Sequence, residues 1–321
     1  MTDQPLICAE GLTREFTSGR WPGGSGGLVG AVRDVTLDIF PGETLALVGH
    51  SGCGKSTLGR LLVRLIQPTA GRVYFRGVDL AHLSRRELQK LRQSMQIIFQ
   101  DPSGALNPRM TVRQIITEPL LVRGVEKKKR EKRLLALLDR VALGGHFSDR
   151  YPPQLSGGQK QRVSIARALA CDPDFIVADE PLSALDSITQ ARILDLLVSL
   201  QEEDNIAYLF IAHDMRTVRY ISDRVAVMYR GQLLEIGPTP EVFDQPLHPY
   251  TRVLLDCVLA LRRDVHETKR RHVTPTVSDE DVSGCLFFPL CKRAQKQCRD
   301  IMPELCEASD GHFVRCINPE S

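Results

Sequence analysis

The feature that most constrains how this chain can fold is an apolar run, Thr44-Leu-Ala-Leu-Val48, that breaks into Gly49-His-Ser-Gly-Cys-Gly-Lys-Ser56 and resumes as Thr57-Leu-Gly-Arg-Leu-Leu-Val-Arg-Leu65. A strand, a glycine-rich loop and a helix follow one another, which points to an α/β fold. Gly49, Gly54, Lys55 and Ser56 fill the G-x-x-x-x-G-K-S pattern, in which glycines let backbone N–H groups curl around phosphate oxygens at the positive end of the next helix. On this reading Lys55 reaches the β- and γ-phosphates of ATP and Ser56 sets its hydroxyl on a bridging Mg²⁺. Ser51, Gly52, Cys53 and Thr57 complete the cradle, and at Ser51 and Cys53 the exposed amides matter more than the side chains. Cys53 needs no redox role. The bland alternative is a tight glycine turn, but the flanking strand and helix are both legible.

The chain has 321 residues, enough for one large or two ordinary domains. Its 42 basic and 39 acidic residues are too balanced to argue for nucleic acid or a membrane surface as partner. No stretch approaches the roughly 20 apolar residues of a membrane span. Met1-Thr-Asp-Gln-Pro5 lacks the basic and apolar parts of a signal peptide, so a cytoplasmic chain is expected. Cys8, Cys53, Cys171 and Cys257 are scattered, whereas five cysteines crowd between Cys285 and Cys316. A general disulfide framework is thereby excluded, and the tail is chemically distinct.

Leu6-Ile-Cys-Ala-Glu-Gly-Leu-Thr-Arg-Glu-Phe16 and Ala31-Val-Arg-Asp-Val-Thr-Leu-Asp-Ile39 predict two antiparallel strands ahead of the phosphate loop, joined by a glycine-rich segment that holds Trp21. Phe16 is a candidate for stacking on the nucleotide base; a core role for Phe16, or Trp21 in its place, are the rival readings. Ser84 and Glu87 predict a capping box. Met95-Gln-Ile-Ile-Phe99 predicts a core strand ending at Gln100, and residues 111–150 read as helical throughout. Within them, Glu126-Lys-Lys-Lys-Arg-Glu-Lys-Arg133 reads as a solvated helix face rather than a nucleic-acid contact. In Leu155-Ser-Gly-Gly-Gln159, Ser156 is a natural N-cap and the paired glycines Gly157 and Gly158 expose amides ahead of a long helix, a second phosphate nest. Phe175-Ile-Val-Ala-Asp-Glu180 then predicts a strand ending in a Mg²⁺-side Asp179 and a water-polarising Glu180.

With these residues in hand the chain resembles the ATP-binding subunit of an ABC transporter, Leu155-Ser-Gly-Gly-Gln159 matching that family's signature. The resemblance implies a P-loop NTPase (RecA-like) core with a mixed sheet, an N-terminal antiparallel β subdomain, a helical signature subdomain at about residues 105–170 and a C-terminal cysteine-rich extension. Residues 1–240 would be the ATPase domain and 241–321 the extension. It implies Gln100 as the glutamine that reaches the Mg²⁺ and the attacking water, Asp179 as the Walker B aspartate, Glu180 as the catalytic base, Ser183-Ala-Leu-Asp186 as the D-loop and His213 as the switch histidine. It also implies two ATPase domains meeting head to tail, each ATP lying between one chain's phosphate loop and the other's Ser156, Gly157, Gly158 and Gln159. A lone subunit would be a poor catalyst.

Phe99-Gln-Asp-Pro-Ser-Gly-Ala-Leu-Asn-Pro-Arg109, Val177-Ala-Asp-Glu-Pro-Leu-Ser-Ala-Leu-Asp186 and His248-Pro-Tyr-Thr251 are similar to oligopeptide and dipeptide importers. Asn107-Pro-Arg109 and Gly59-Arg-Leu-Leu62 look like the second of the two ATPases such importers carry. The implied partners are therefore a paralogous ATPase, two membrane permeases, one of which docks a coupling helix on residues 100–109 and the helical subdomain, and a periplasmic or extracellular solute-binding protein, with no nucleic acid. The implied location is the cytoplasmic face of the plasma membrane. The same group includes importers of nickel, glutathione and other small solutes, and ABC ATPases acting on nucleic acid or ribosomes are the distant alternative. Clustered thiols suggest a soft-metal site, and without paired C-x-x-C knuckles either an irregular zinc site or an iron–sulfur cluster fits, against reduced, unliganded cysteines. By the resemblance, Cys285, Cys291, Cys298 and Cys316 would hold a four-iron, four-sulfur cluster, with Cys306 to spare.

Overall fold

The computed structural model describes residues 4–17, 28–183, 185–260 and 283–319, with the backbone alone for 257–260. Trp21, the middle of the expected D-loop at Ala184 and the side chain of Cys257 lie outside the described residues. In chain order come β1 (Ile7–Thr17), β2 (Leu28–Ile39), β3 (Thr44–Val48), α1 (Lys55–Leu62), β4 (Ala70–Phe75), β5 (Val78–Asp79), α2 (Arg85–Leu91), β6 (Met95–Ile98) and α3 (Pro102–Ala105). They are followed by α4 (Val112–Val122), α5 (Lys127–Arg140), α6 (Gly157–Leu169), β7 (Phe175–Asp179), α7 (Ser187–Asp204), β8 (Ala207–Ile211), α8 (Met215–Ile221), β9 (Arg224–Tyr229) and β10 (Gln232–Pro238). The last elements are α9 (Thr239–Asp244), α10 (Pro249–Ala260), α11 (Gln297–Asp300), β11 (Cys306–Ser309) and β12 (His312–Val314). No helix among the described residues is long and apolar enough to cross a membrane.

One sheet is antiparallel, in the order β2-β1-β4-β5; the other is mixed, in the order β11-β12-β10-β9-β3-β8-β7-β6. The central strands β9, β3, β8, β7 and β6 run parallel, and β3, β7 and β8 are buried at every position. Such strands must be apolar on both faces, which is why they read as continuous apolar runs. Alternation divides them between two cores. Leu45, Leu47, Phe175, Val177, Leu209 and Ile211 pack with α1 and the antiparallel sheet. Ala46, Val48, Ile176, Ala178, Tyr208 and Phe210 pack with α4 to α8. Phe175 and Phe210 are wholly enclosed, and at roughly 1.5–3 kcal/mol per buried large side chain these strands are the costliest part of the fold to disturb.

The capping box at Ser84 and Glu87 is present. The expectation of helix throughout residues 111–150 requires correction. The chain leaves α4 at Arg123 through a Schellman motif, with the Gly124 amide donating to the Leu121 carbonyl and the Val125 amide to that of Leu120, and re-enters helix only at Lys127. A 3₁₀ turn at Gly145–Phe147 follows α5.

The tail is joined to the main sheet. β12 pairs with β10 through Glu235↔Val314 and Ile236↔Phe313, and β11 adds a further antiparallel strand. Glu235, with no solvent exposure, is the knot. Its carboxylate accepts from the Leu247 amide at 2.8 Å, the His248 amide at 2.9 Å, the Thr251 hydroxyl at 2.5 Å and His312 Nε2 at 2.8 Å. One side chain thus joins β10, the start of α10 and β12. Glu235→Ala leaves four donors without an acceptor, three of them in buried hydrogen bonds, and unfolding free energy in urea is expected to fall by about 3–5 kcal/mol, the C-terminal segment becoming sensitive to protease first.

Candidate functional site

The phosphate loop is held where β3 turns into α1. Gly54 sits at φ +110°, and a Cβ there would come within 2.0 Å of the Ala31 carbonyl oxygen, so the loop lies against β2 with no room for a side chain. Lys55 is buried, its ammonium donating to the Gly49 carbonyl at 2.8 Å and the His50 carbonyl at 3.1 Å. The Ser56 hydroxyl donates to Asp179 Oδ1 at 2.8 Å, across 123 residues of sequence. Burial pushes the Asp179 carboxyl above the ordinary aspartate range, opposed by the Ser56 hydrogen bond and the Arg60 charge. A desolvated carboxylate beside a hydroxyl is the hard-oxygen donor set that suits Mg²⁺.

Glu180 follows β7 directly and holds φ +45°, a left-handed conformation uncommon for any residue with a side chain. Its amide donates to the Ile211 carbonyl at 3.0 Å, and the Ser183 hydroxyl donates to its carbonyl at 3.1 Å, so neighbours on both sides fix the strained turn. Gln100 Nε2 donates to Glu180 Oε2 at 2.8 Å. His213 Nδ1 is 3.7 Å from the same oxygen, outside direct hydrogen-bond range. A cavity bounded by Glu180, Ser183, Gln190, His213, Asp214 and Thr217 opens beside them.

Other expected site residues lie apart from this group. Ser156 caps α6 in a capping box with Gln159 and is exposed. Asp186 caps α7, accepting from the Thr189 amide and hydroxyl, bonds that hold its carboxyl below the ordinary range. Among the described residues no hydrogen bond ties Ser156, Gly157, Gly158, Gln159 or Asp186 to the phosphate loop. Phe16 is exposed near the end of β1, with the Arg14 guanidinium 4.7 Å from its ring centre.

Cys285, Cys291, Cys298 and Cys316 line one cavity together with His248, Phe287 and Asn318; Cys306 does not. Burial pushes the Cys285 and Cys316 thiols up, and the neighbouring thiols of the same group add to the shift. Among the described residues no three His, Cys, Asp or Glu side chains converge as ligands of a single metal ion would. Sequence reading gave no role to Tyr250, whose hydroxyl accepts from the His50 amide at 3.0 Å, or to Glu235. For Tyr250 the only signal was its place in His248-Pro-Tyr-Thr251, because a contact across 200 residues leaves no local pattern.

Residues 32–183 match the family described as ABC transporter, and residues 234–298 match the oligopeptide/dipeptide transporter C-terminal region. The chain is 45% identical to the oligopeptide transport ATP-binding protein AppF of Bacillus subtilis, over 90% of each chain. It is 44% identical to the putative oligopeptide transport ATP-binding protein YkfD of the same organism, over 97% of this chain and 95% of that one. Among solved structures it is similar to a dimeric ATP-binding cassette in a post-hydrolysis state with ADP and inorganic phosphate, with TM-score 0.66 and 33% identity over 73% of this chain and 99% of that one. It is also similar to CbiO1 from Clostridium perfringens, part of an ABC transporter complex, with TM-score 0.65 and 30% identity over 81% of this chain and 97% of that one.

Gly54→Ala drives a methyl group into the Ala31 carbonyl oxygen from a backbone conformation that alanine resists. ATP affinity, measured by equilibrium binding of a fluorescent ATP analogue, is expected to fall at least about tenfold.

Proposed function

Because this chain belongs to the ABC transporter family of ATPases, in its oligopeptide and dipeptide branch, we propose that it hydrolyses ATP to power import of peptides through a pair of membrane permeases. The observation that carries the peptide reading is identity of 44–45% to oligopeptide transport ATP-binding proteins over at least 90% of both chains, C-terminal region included. The working unit is a head-to-tail pair with a paralogous ATPase. In its support, Ser156 and Asp186 are exposed and unattached to their own phosphate loop, and a similar cassette was solved as a dimer. The subunit works peripherally at the cytoplasmic face of the membrane, supplied by a periplasmic or extracellular solute-binding protein.

Lys55 and the loop amides hold the phosphates. Ser56, Asp179 and Gln100 would hold Mg²⁺, which when bound neutralises charge between the β- and γ-phosphates. Glu180 accepts a proton from the attacking water and His213, next to it, orients the γ-phosphate side of the site. Gln100 also begins the stretch of residues 100–109 that docks the permease. Lys55→Ala is expected to lose ATP binding, whereas Glu180→Gln keeps binding, lowers turnover at least about 100-fold and holds the nucleotide-sandwiched pair closed. Binding and phosphate release are measured separately in the assembled transporter; wild-type turnover by Glu180→Gln would sink the assignment.

We further propose a four-iron, four-sulfur cluster on Cys285, Cys291, Cys298 and Cys316. In its support, the four thiols line one cavity that Cys306 does not reach, and four cysteines are the donor set such a cluster takes. The cluster would brace the C-terminal region. Anaerobically purified protein is expected to be brown, with iron and acid-labile sulfide, to bleach on Ser substitution at any of the four and to keep its colour in Cys306→Ser. Colourless protein with stoichiometric zinc would refute the cluster.

A further inference from the structure

The peptide unit joining Gly49 to His50 is gripped from both edges. Its carbonyl accepts from Lys55 Nζ at 2.8 Å, and its N–H donates to the Tyr250 hydroxyl at 3.0 Å. A trans peptide is a rigid plane whose C=O and N–H point in opposite directions. Any rotation that frees the amide from Tyr250 therefore swings the carbonyl away from the ammonium that meets the phosphates. The next carbonyl, that of His50, also accepts from Lys55, at 3.1 Å.

Tyr250 is itself held against displacement. It is 5% exposed, and its amide donates to His248 Nδ1 at 3.0 Å. The turn it belongs to is fastened to Glu235 through the amides of Leu247 and His248 and the hydroxyl of Thr251. Its ring centre lies 4.8 Å from that of Tyr229 and 5.4 Å from that of Phe287. Phe287 and His248 form part of the wall around Cys285, Cys291, Cys298 and Cys316. A continuous packed path thus runs from the thiol cavity through Phe287 and Tyr250 to the peptide that seats Lys55.

From this geometry we infer that Tyr250 is a positioning residue for ATP, acting through the Gly49–His50 peptide, and that it carries the state of the thiol cavity to the phosphate loop. The first half rests on the ATP-binding role of the loop and the second on the cavity holding a ligated group. Removing the hydroxyl while keeping the ring separates positioning from packing.

The test uses the full-length chain assembled with its partner ATPase and permeases. In Tyr250→Phe the KM for ATP is expected to rise about fivefold, as loss of one hydrogen bond would give, with kcat within about twofold and the nucleotide-free thermal midpoint unchanged. An unchanged KM, or a fall in kcat and thermal midpoint together, overturns the positioning role. Cys291→Ser, which alters the cavity, is expected to shift ATP affinity in the wild-type background and to have no effect on top of Tyr250→Phe. The same shift in both backgrounds overturns the route through Tyr250. Iron content measured on the same preparations keeps the readings distinct: iron-free wild-type protein refutes the cluster, while the KM of Tyr250→Phe still decides the role of Tyr250.

Discussion

The shared direction of β3, β8, β7 and β6 is the constraint on which the site depends. In a parallel sheet the carboxyl ends of neighbouring strands open onto one crevice. β3 delivers the phosphate loop there, β6 Gln100, β7 Asp179 and Glu180, and β8 His213. The pairings Leu47↔Ile211, Asp179↔Ile211 and Ile98↔Ala178 set the depth at which each chain emerges. A slip of one residue in β7 would turn Asp179 to the opposite face of the sheet and break its bond with Ser56. The burial of these strands therefore specifies the chemistry as well as the stability.

The same register makes the crevice electrostatically unfinished. Asp179 and Glu180 are adjacent acids, and Asp179 has lost its water to the sheet. The Asp179 carboxylate is favoured against that burial by the Ser56 hydrogen bond and by the charges of Arg60 and Lys55 and, in the proposed mechanism, by Mg²⁺. Gln100, which donates to Glu180, stands two residues before α3. Just beyond it Asp101 caps α3, and Arg167 of α6 donates to the Ala105 carbonyl at 2.9 Å, while Lys160 donates to the Ser103 hydroxyl at 3.2 Å. These two bonds tie α3 to α6.

What the sequence made legible was local or repetitive. The strand, loop and helix around Lys55, the capping box at Ser84, the N-cap at Ser156, and the apolar strand ending at Asp179 each lie within a few residues and follow backbone rules. The break at Gly124 was also written there, as glycine just past an apolar helix, but continuous helix-forming residues on both sides obscured it. The pairing of β12 with β10 and the convergence of Tyr250 on His50 were not legible. They depend on which surfaces meet after folding, and no periodicity encodes that meeting.

The fate of residues 283–319 follows from edge chemistry. β10 would otherwise end the mixed sheet with a row of unpaired backbone groups, and β12 covers it. Arg315 then closes the join, its guanidinium donating to the Leu233 carbonyl at 3.0 Å and the Pro303 carbonyl at 3.1 Å. Together with Glu235 on His312 these bonds clamp the thiol-bearing segment to a strand only two places from β3. A segment fastened this way moves independently only by giving up these bonds and the apolar burial of Val314 together. On the proposal that this segment influences the phosphate loop, the contact available to carry it is Phe287 against the ring of Tyr250, whose hydroxyl accepts from the His50 amide.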